Sequence, residues 1–143
     1  MNDIGVLLDN SHFVKDWTML DIERVHSLFY KNWDSTLFFN YLEKFNINTS
    51  LKVEELSKGM TVKLLLACAL SHKPKVLILD EPTSGLDPVA RDEVSSILQD
   101  FVSDEENTVL FSTHITSDLE NIADDIVFIL NGEIVYKGEK EEL

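Results

Sequence analysis

Glycine is scarce in this chain of 143 residues, which holds only Gly5, Gly59, Gly85, Gly132 and Gly138. Nowhere do they form G-x-x-x-x-G-K-[ST], the loop that wraps backbone amides around nucleotide phosphates and brings a lysine to them. Cysteine is rarer still. Cys68 stands alone among the leucines and alanines of 64–70 and reads as a small core residue in a reducing compartment. Basic side chains are outnumbered, 12 against 26 acidic ones, for a formal charge of −14. That balance argues against nucleic acid or an anionic membrane surface as a direct partner. Long apolar runs are missing too: none approaches the roughly 20 residues that span a bilayer. The amino terminus is acidic rather than signal-like. A chain of this length can bury about two-thirds of its unfolded surface, enough for one core.

The most informative stretch that is present is Val76–Asp87, VLILDEPTSGLD. Four aliphatic residues in a row predict a strand buried on both faces, as at the centre of a parallel sheet. Asp80 and Glu81 stand at its carboxyl end, where open α/β sheets bind ligands. Strand side chains alternate in direction, so the two carboxylates can hold different posts around one ligand. Pro82 and Gly85 punctuate a turn, and Pro88 opens a helix at its first position. An apolar strand ending in Asp-Glu also arises where a carboxylate merely caps the next turn. The continuation Pro-Thr-Ser-Gly-Leu-Asp separates this one from those.

With that continuation, the segment resembles the Walker B strand and D-loop of ATP-binding-cassette (ABC) ATPases. Further segments fit the resemblance in the family's order. Leu56–Met60, LSKGM, is similar to the family's LSGGQ signature, which contacts nucleotide bound by the opposite subunit. Ser57 sits as an N-cap ahead of the helical run Leu64, Leu65, Ala67, Ala69 and Leu70. Free amides, a hydroxyl and a glycine at a helix start make a natural phosphate site, and equally an ordinary capped helix. Val109–Ser112 predicts a short strand ending in Thr113 and His114, the place of the H-switch. Ile126–Leu130, Asn131-Gly132 and Glu133–Tyr136 read as a hairpin with a favoured two-residue turn. Ile4–Leu8 resembles the strand entering the Q-loop, with Asp9 where the family usually has glutamine. Lys58 and Met60 depart from the family's glycine and glutamine. The wording of LSKGM, GLDPVARDEV and FSTHITSDLEN is most similar to bacterial ABC-2 exporters, including those of antibiotic or peptide efflux.

Phe13 to Phe45 holds nine of the thirteen aromatic residues, on two helical patterns. One runs from about Met19 to Lys31 behind Thr18; the other starts near Asp34 or Ser35 and stacks Leu37, Phe38, Tyr41, Leu42 and Phe45. With the signature helix they predict a helical subdomain whose core takes most of the aromatics. Phe13, Trp17 and Trp33 are candidates to line a groove for a helix of a membrane subunit. From Val76 onward strands and helices alternate as in a parallel sheet: 76–80, 88–101, 108–112, 116–123 and 126–130. The expected fold is α/β, a P-loop NTPase (RecA-like) core fragment with a parallel sheet, a helical subdomain and a C-terminal β-hairpin. The expected division is 1–12 as Q-loop strand remnant, 13–73 as helical subdomain and 74–143 as catalytic core.

The resemblance implies roles. Asp80 would hold Mg2+ through water, Glu81 would orient and deprotonate the attacking water, and His114 would contact the γ-phosphate. Ser57, Lys58 and Gly59 would close over ATP held by a second ATPase subunit. Ser84 to Asp87 would couple the two sites, and Asp9 would stand at the Q-loop. The permease is another chain, which would hold the protein at the inner face of the cell membrane from the cytoplasm. In the family the phosphate loop precedes the signature, so its loss is expected to lie before Met1, and nucleotide binding by this chain is expected to be weak or absent. Two classes of function stay open: the later part of an ATPase, or a natural non-catalytic chain that supplies the signature to a complete ATPase or competes with it. In related P-loop ATPases the missing strand lies between the strand ending at His114 and that beginning near Ile126. Val109–Phe111 and Ile126–Leu130 are uncharged, so self-association through bare edges, or a rearranged sheet, is expected.

Overall fold

A computed structural model of the chain describes residues 3–8 and 13–142; Asp9 lies outside them. Helix starts are set by local side chains. Thr18 caps α1 (Met19–Phe29): its hydroxyl accepts the Asp21 amide at 3.3 Å, and Asp21 accepts the Thr18 amide at 3.0 Å. Asp34 caps α2 (Ser35–Lys44) through the Leu37 amide at 3.0 Å. Ser57 caps α3 (Lys58–Ser71) through the Met60 amide at 3.2 Å. Each cap satisfies an amide that the first turn leaves without a partner.

These helices form one layer. Met19 and Ile22 of α1 and Phe38 and Leu42 of α2 are buried in the same core as Leu64, Leu66 and Ala67 of α3. The apolar residues of α3 point to all sides, because it packs against α2 on one flank and strand β1 (Ile4–Leu7) on the other. His72, which ends α3, stacks on Tyr30 with ring centres 4.3 Å apart. Trp33 packs its ring 5.2 Å from both His26 and Phe38.

The second layer is a parallel sheet of three strands in the order β1, β2 (Val76–Asp80), β3 (Thr108–Ser112). Leu7, Leu77 and Leu79 point into the core, which also takes Val94, Ile97 and Leu98 from α4 (Pro88–Val102). α5 (Thr116–Ile122) packs on α4. β4 (Asp125–Leu130) and β5 (Glu133–Glu139) form an antiparallel hairpin, with Asn131 and Gly132 at φ 51° and 81°, the left-handed pair that a type I′ turn needs.

Two expectations are corrected. The strand at 76–79 is not buried on both faces: Leu77 and Leu79 are buried, whereas Ile78 is 36% exposed, and its register partners Val6 and Leu110 are 53% and 64% exposed. Among the described residues no element covers that side of the sheet. Residues 126–130 do not join the parallel sheet either. β4 pairs only with β5, because nothing described stands between it and β3. The sheet order is otherwise not rearranged, and the outer edge of β3 has no strand partner among the described residues.

Two predictions follow from this layout. The 143-residue chain self-associates with rising concentration in sedimentation velocity, and Leu110→Lys weakens that association by placing a charge beside the bare edge. A concentration-independent monomer contradicts this. The second concerns pH. Burial beneath its ring neighbours holds His26 below its ordinary 6.5, and the amides of Thr18 and Leu37 hold Asp21 and Asp34 below 3.8. In each case the unfolded chain takes up the proton first. Stability therefore falls as pH drops below 6.5 and again below 3.8. Urea unfolding across pH measures both steps, and His26→Gln removes the first.

Candidate functional site

At the tips of β2 and β3 four side chains converge. The Ser112 hydroxyl donates to Asp80 Oδ1 at 2.6 Å. The Glu81 amide reaches the Ser112 carbonyl at 3.1 Å and its hydroxyl oxygen at 3.2 Å. Glu81 Oε2 accepts a hydrogen bond from His114 Nδ1 at 2.9 Å. An ionised carboxylate can only accept, so this geometry calls for the tautomer with its proton on Nδ1, which leaves Nε2 as the other ring nitrogen. The cluster is open to solvent: the His114 side chain is 70% exposed and that of Glu81 30%.

The divergence of Asp80 and Glu81 has a different cause from strand alternation. β2 stops at Asp80, and Glu81 takes φ 48°, a left-handed backbone that a non-glycine residue adopts at a cost. That turn, not the pleat, aims Glu81 at His114.

A second group forms around the start of α3. The Lys58 side chain lies over Gly85, so that a Cβ on Gly85 would come within 2.5 Å of the Lys58 ammonium. A Cβ on Gly59 would lie 3.6 Å from Ala90 and 3.8 Å from Leu86. The start of α3 thus rests on the turn 83–87 and the start of α4. Asp87 is the N-cap of α4, accepting the Ala90 amide at 2.8 Å, and Ser84 donates its amide to the Glu81 carbonyl at 3.2 Å. Among the described residues no hydrogen bond or ion pair joins Ser57, Lys58 or Gly59 to Asp80, Glu81 or His114. The structure therefore holds the candidate residues as two groups on the two sides of one turn.

A cleft of about 410 Å3 opens between β1 and the helical layer, lined by Val6, Leu8, Phe13, His26, Tyr30 and His72 among others. Of the aromatic residues expected to line a groove, Phe13 is there. Trp33 lines a separate cleft with Lys31, Asp34 and Lys73 and donates its ring N–H to Glu23 at 3.3 Å, and all three aromatic residues also pack on the core.

Comparison with known proteins agrees with this architecture. A protein-family profile described as "AAA domain, putative AbiEii toxin, Type IV TA system" matches residues 7–117. The lantibiotic transport ATP-binding protein SrtF of Streptococcus pyogenes is 35% identical over 141 residues, 97% of this chain and 61% of that protein. The uncharacterized ABC transporter ATP-binding protein YxlF of Bacillus subtilis is 51% identical over 87 residues, 61% of this chain and 29% of that one. A solved structure described as "An inward-facing conformation of a putative metal-chelate type ABC transporter" superposes with a TM-score of 0.81 at 26% identity. It covers 98% of this chain and 59% of the other. This chain belongs to the ABC transporter ATPases, within the P-loop NTPases.

The chain spans about three-fifths of the length of SrtF. Four residues of its site were not singled out from sequence: Ser112, which joins Asp80 to Glu81, the buried pair Thr83 and Asp118, and the half-buried Thr113, described below. A small hydroxyl residue at the end of a β-rich run was the available signal for Ser112; an acidic residue in a short helix offered none for Asp118.

The turn under Lys58 yields a prediction. Gly85 has φ 73°, so Gly85→Ala should lower the unfolding free energy by about 1–2 kcal/mol for the left-handed backbone alone. Urea denaturation measures it. Adding Lys58→Ala frees space without relieving the backbone, so a double variant as stable as the parent would show that the turn is not the constraint.

Proposed function

We propose that the chain is the later part of the ATP-binding and ATP-hydrolysing subunit of a membrane ABC transporter, of the exporter kind. By itself it would bind nucleotide weakly or not at all, since its 143 residues include no phosphate-cradling loop. The observation that carries the reading is the Asp80–Ser112–Glu81–His114 cluster at the carboxyl ends of adjacent parallel strands. Two carboxylates and a hydroxyl are too few for a protein-only metal cage, and no group of three or more potential ligands occurs among the described residues. They suit Mg2+, which takes one or two carboxylates and fills its octahedron with water and phosphate oxygens. When bound beside Asp80, that ion would neutralise charge on the phosphate oxygens.

In this reading Glu81 orients the attacking water and takes its proton. His114 supports that task by occupying Oε2 with its Nδ1–H, which leaves Oε1 as the oxygen for water. The Nε2 side of His114 contacts the γ-phosphate. Ser57, Lys58 and Gly59, with the amides at the start of α3, close over ATP held by a second ATPase subunit. Ser84 to Asp87 pass changes between the two sites, and residues 13–73 act as the helical subdomain. The relatives are named as ATP-binding proteins of transporters, which supports a membrane-spanning permease as partner; in this reading the subunit sits on the cytoplasmic face, and the cleft beside Phe13 suits a helix of that permease. No described helix is long and apolar enough to cross a membrane itself.

One observation favours a second reading. The capped signature helix is complete here in a chain without a phosphate loop. Such a chain can offer LSKGM to a complete ATPase, or compete with it, while hydrolysing nothing. Calorimetry of Mg-ATP on the 143-residue chain, with Asp80→Asn as control, should show no binding. Micromolar binding lost in the variant would mean that phosphate is held some other way. In the complete subunit, Glu81→Gln should keep ATP binding and reduce turnover by about 10²–10⁴-fold. Normal turnover would remove Glu81 from its role. If adding the 143-residue chain raised hydrolysis by a complete ATPase, the second reading would be preferred.

A further inference from the structure

Behind the exposed cluster lies a buried one. Asp118, on the first turn of α5, is 1% exposed, as is Thr83. One carboxylate oxygen of Asp118, Oδ2, accepts two hydroxyls: that of Thr83, from the turn after Glu81, and that of Thr113, the residue before His114, at 3.1 Å. Thr113 in turn accepts the Ile115 amide at 3.0 Å, so its hydroxyl brackets the backbone on either side of His114. On the other strand, the Glu81 carbonyl accepts the Ser84 amide and the Thr83 carbonyl the Leu86 amide, which ties Thr83 into the turn that aims Glu81. The second carboxylate oxygen, Oδ1, is buried with no hydrogen-bond partner among the described residues.

A carboxylate drawn from water and left with an unused acceptor is a poor source of stability, because desolvation offsets most of what the hydrogen bonds contribute. Apolar side chains of similar size would fill the same space at little or no loss. What they could not do is fix two separate loops to one point. We infer that Asp118 is a positioning residue: through Thr83 and Thr113 it holds the Glu81 turn and the His114 loop at the separation that lets His114 Nδ1 meet the Glu81 carboxylate. Its place is behind the reacting groups, and it does not touch substrate. The inference rests on the reading of Glu81 and His114 given above, but concerns their geometry, which can be observed without hydrolysis.

The test is the tautomer of His114 in the 143-residue chain, read by nitrogen-15 NMR at a pH high enough that the ring nitrogen shifts no longer change with pH. His114→Gln assigns the signal. The parent should show Nδ1–H as the dominant form. Thr83→Val/Thr113→Val/Asp118→Leu should unfold at nearly the same urea concentration and yet lose the Nδ1–H preference. Thr113→Val alone, which removes one hydroxyl and leaves the rest, should weaken the preference in a chain that folds even if the triple variant does not. Val94→Ala, a buried residue of α4 away from the site, should lower stability and leave the tautomer as it is. Nδ1–H persisting undiminished in the folded variants overturns the role of Asp118 while the Glu81–His114 pair stands. A parent without the preference overturns the pair, and the positioning role with it.

Discussion

The ladder between β2 and β3 runs one bond past its last strand pair, where the Glu81 amide meets the Ser112 carbonyl. The candidate site depends on this register. It places Ser112 opposite Asp80, so the hydroxyl reaches one carboxylate and the amide of the next residue at once. It also ends the strand where the chain must turn left-handed, and a left-handed non-glycine residue needs such anchoring to persist. A slip of one residue would exchange the faces of β2, move Leu77 and Leu79 out of the core and part Asp80 from Ser112. Core packing and site geometry are therefore fixed by the same choice of register.

The sheet divides its aliphatic residues unevenly. Leu7, Leu77 and Leu79 are sealed by helices, while Ile4, Val6, Ile78 and Leu110 carry the same kind of side chain on the open face. Parallel sheets are normally covered on both sides. The residue types on the open face are those of a buried layer whose cover the described residues do not supply, and the exposed Ile129, Leu130, Ile134 and Val135 of the hairpin continue that character.

What could be read from sequence was local. Thr18, Asp34 and Ser57 announce helix starts because a short oxygen-bearing side chain satisfies a nearby amide, and Asn131-Gly132 announces its turn because both residues tolerate positive φ. Asp80, Glu81 and His114 were legible from strand ends, and the structure brings Glu81 and His114 into contact. What escaped depends on partners far along the chain. Asp118 looks like any acidic residue on a short helix until Thr83, 35 residues away, is folded against it. The turn at Glu81 was invisible because a non-glycine residue does not advertise a left-handed backbone. Asp87, read as a coupling residue, holds a capping hydrogen bond, and sequence cannot separate these uses of one carboxylate.

Helix α3 has 14 residues, a rod of about 21 Å at the α-helical rise. Its first turn rests on Gly85 and Ala90; its last residue hands over to His72, stacked on Tyr30 at the wall of the cleft. Buried through its second half and packed against α2 and β1, such a rod is held as one unit. The Tyr30–His72 stack and Ser57 with Lys58 thus stand at opposite ends of one continuous helix. Whatever displaces one end of that rod as a rigid body must displace the other, so the fold sets the two surfaces at a fixed separation.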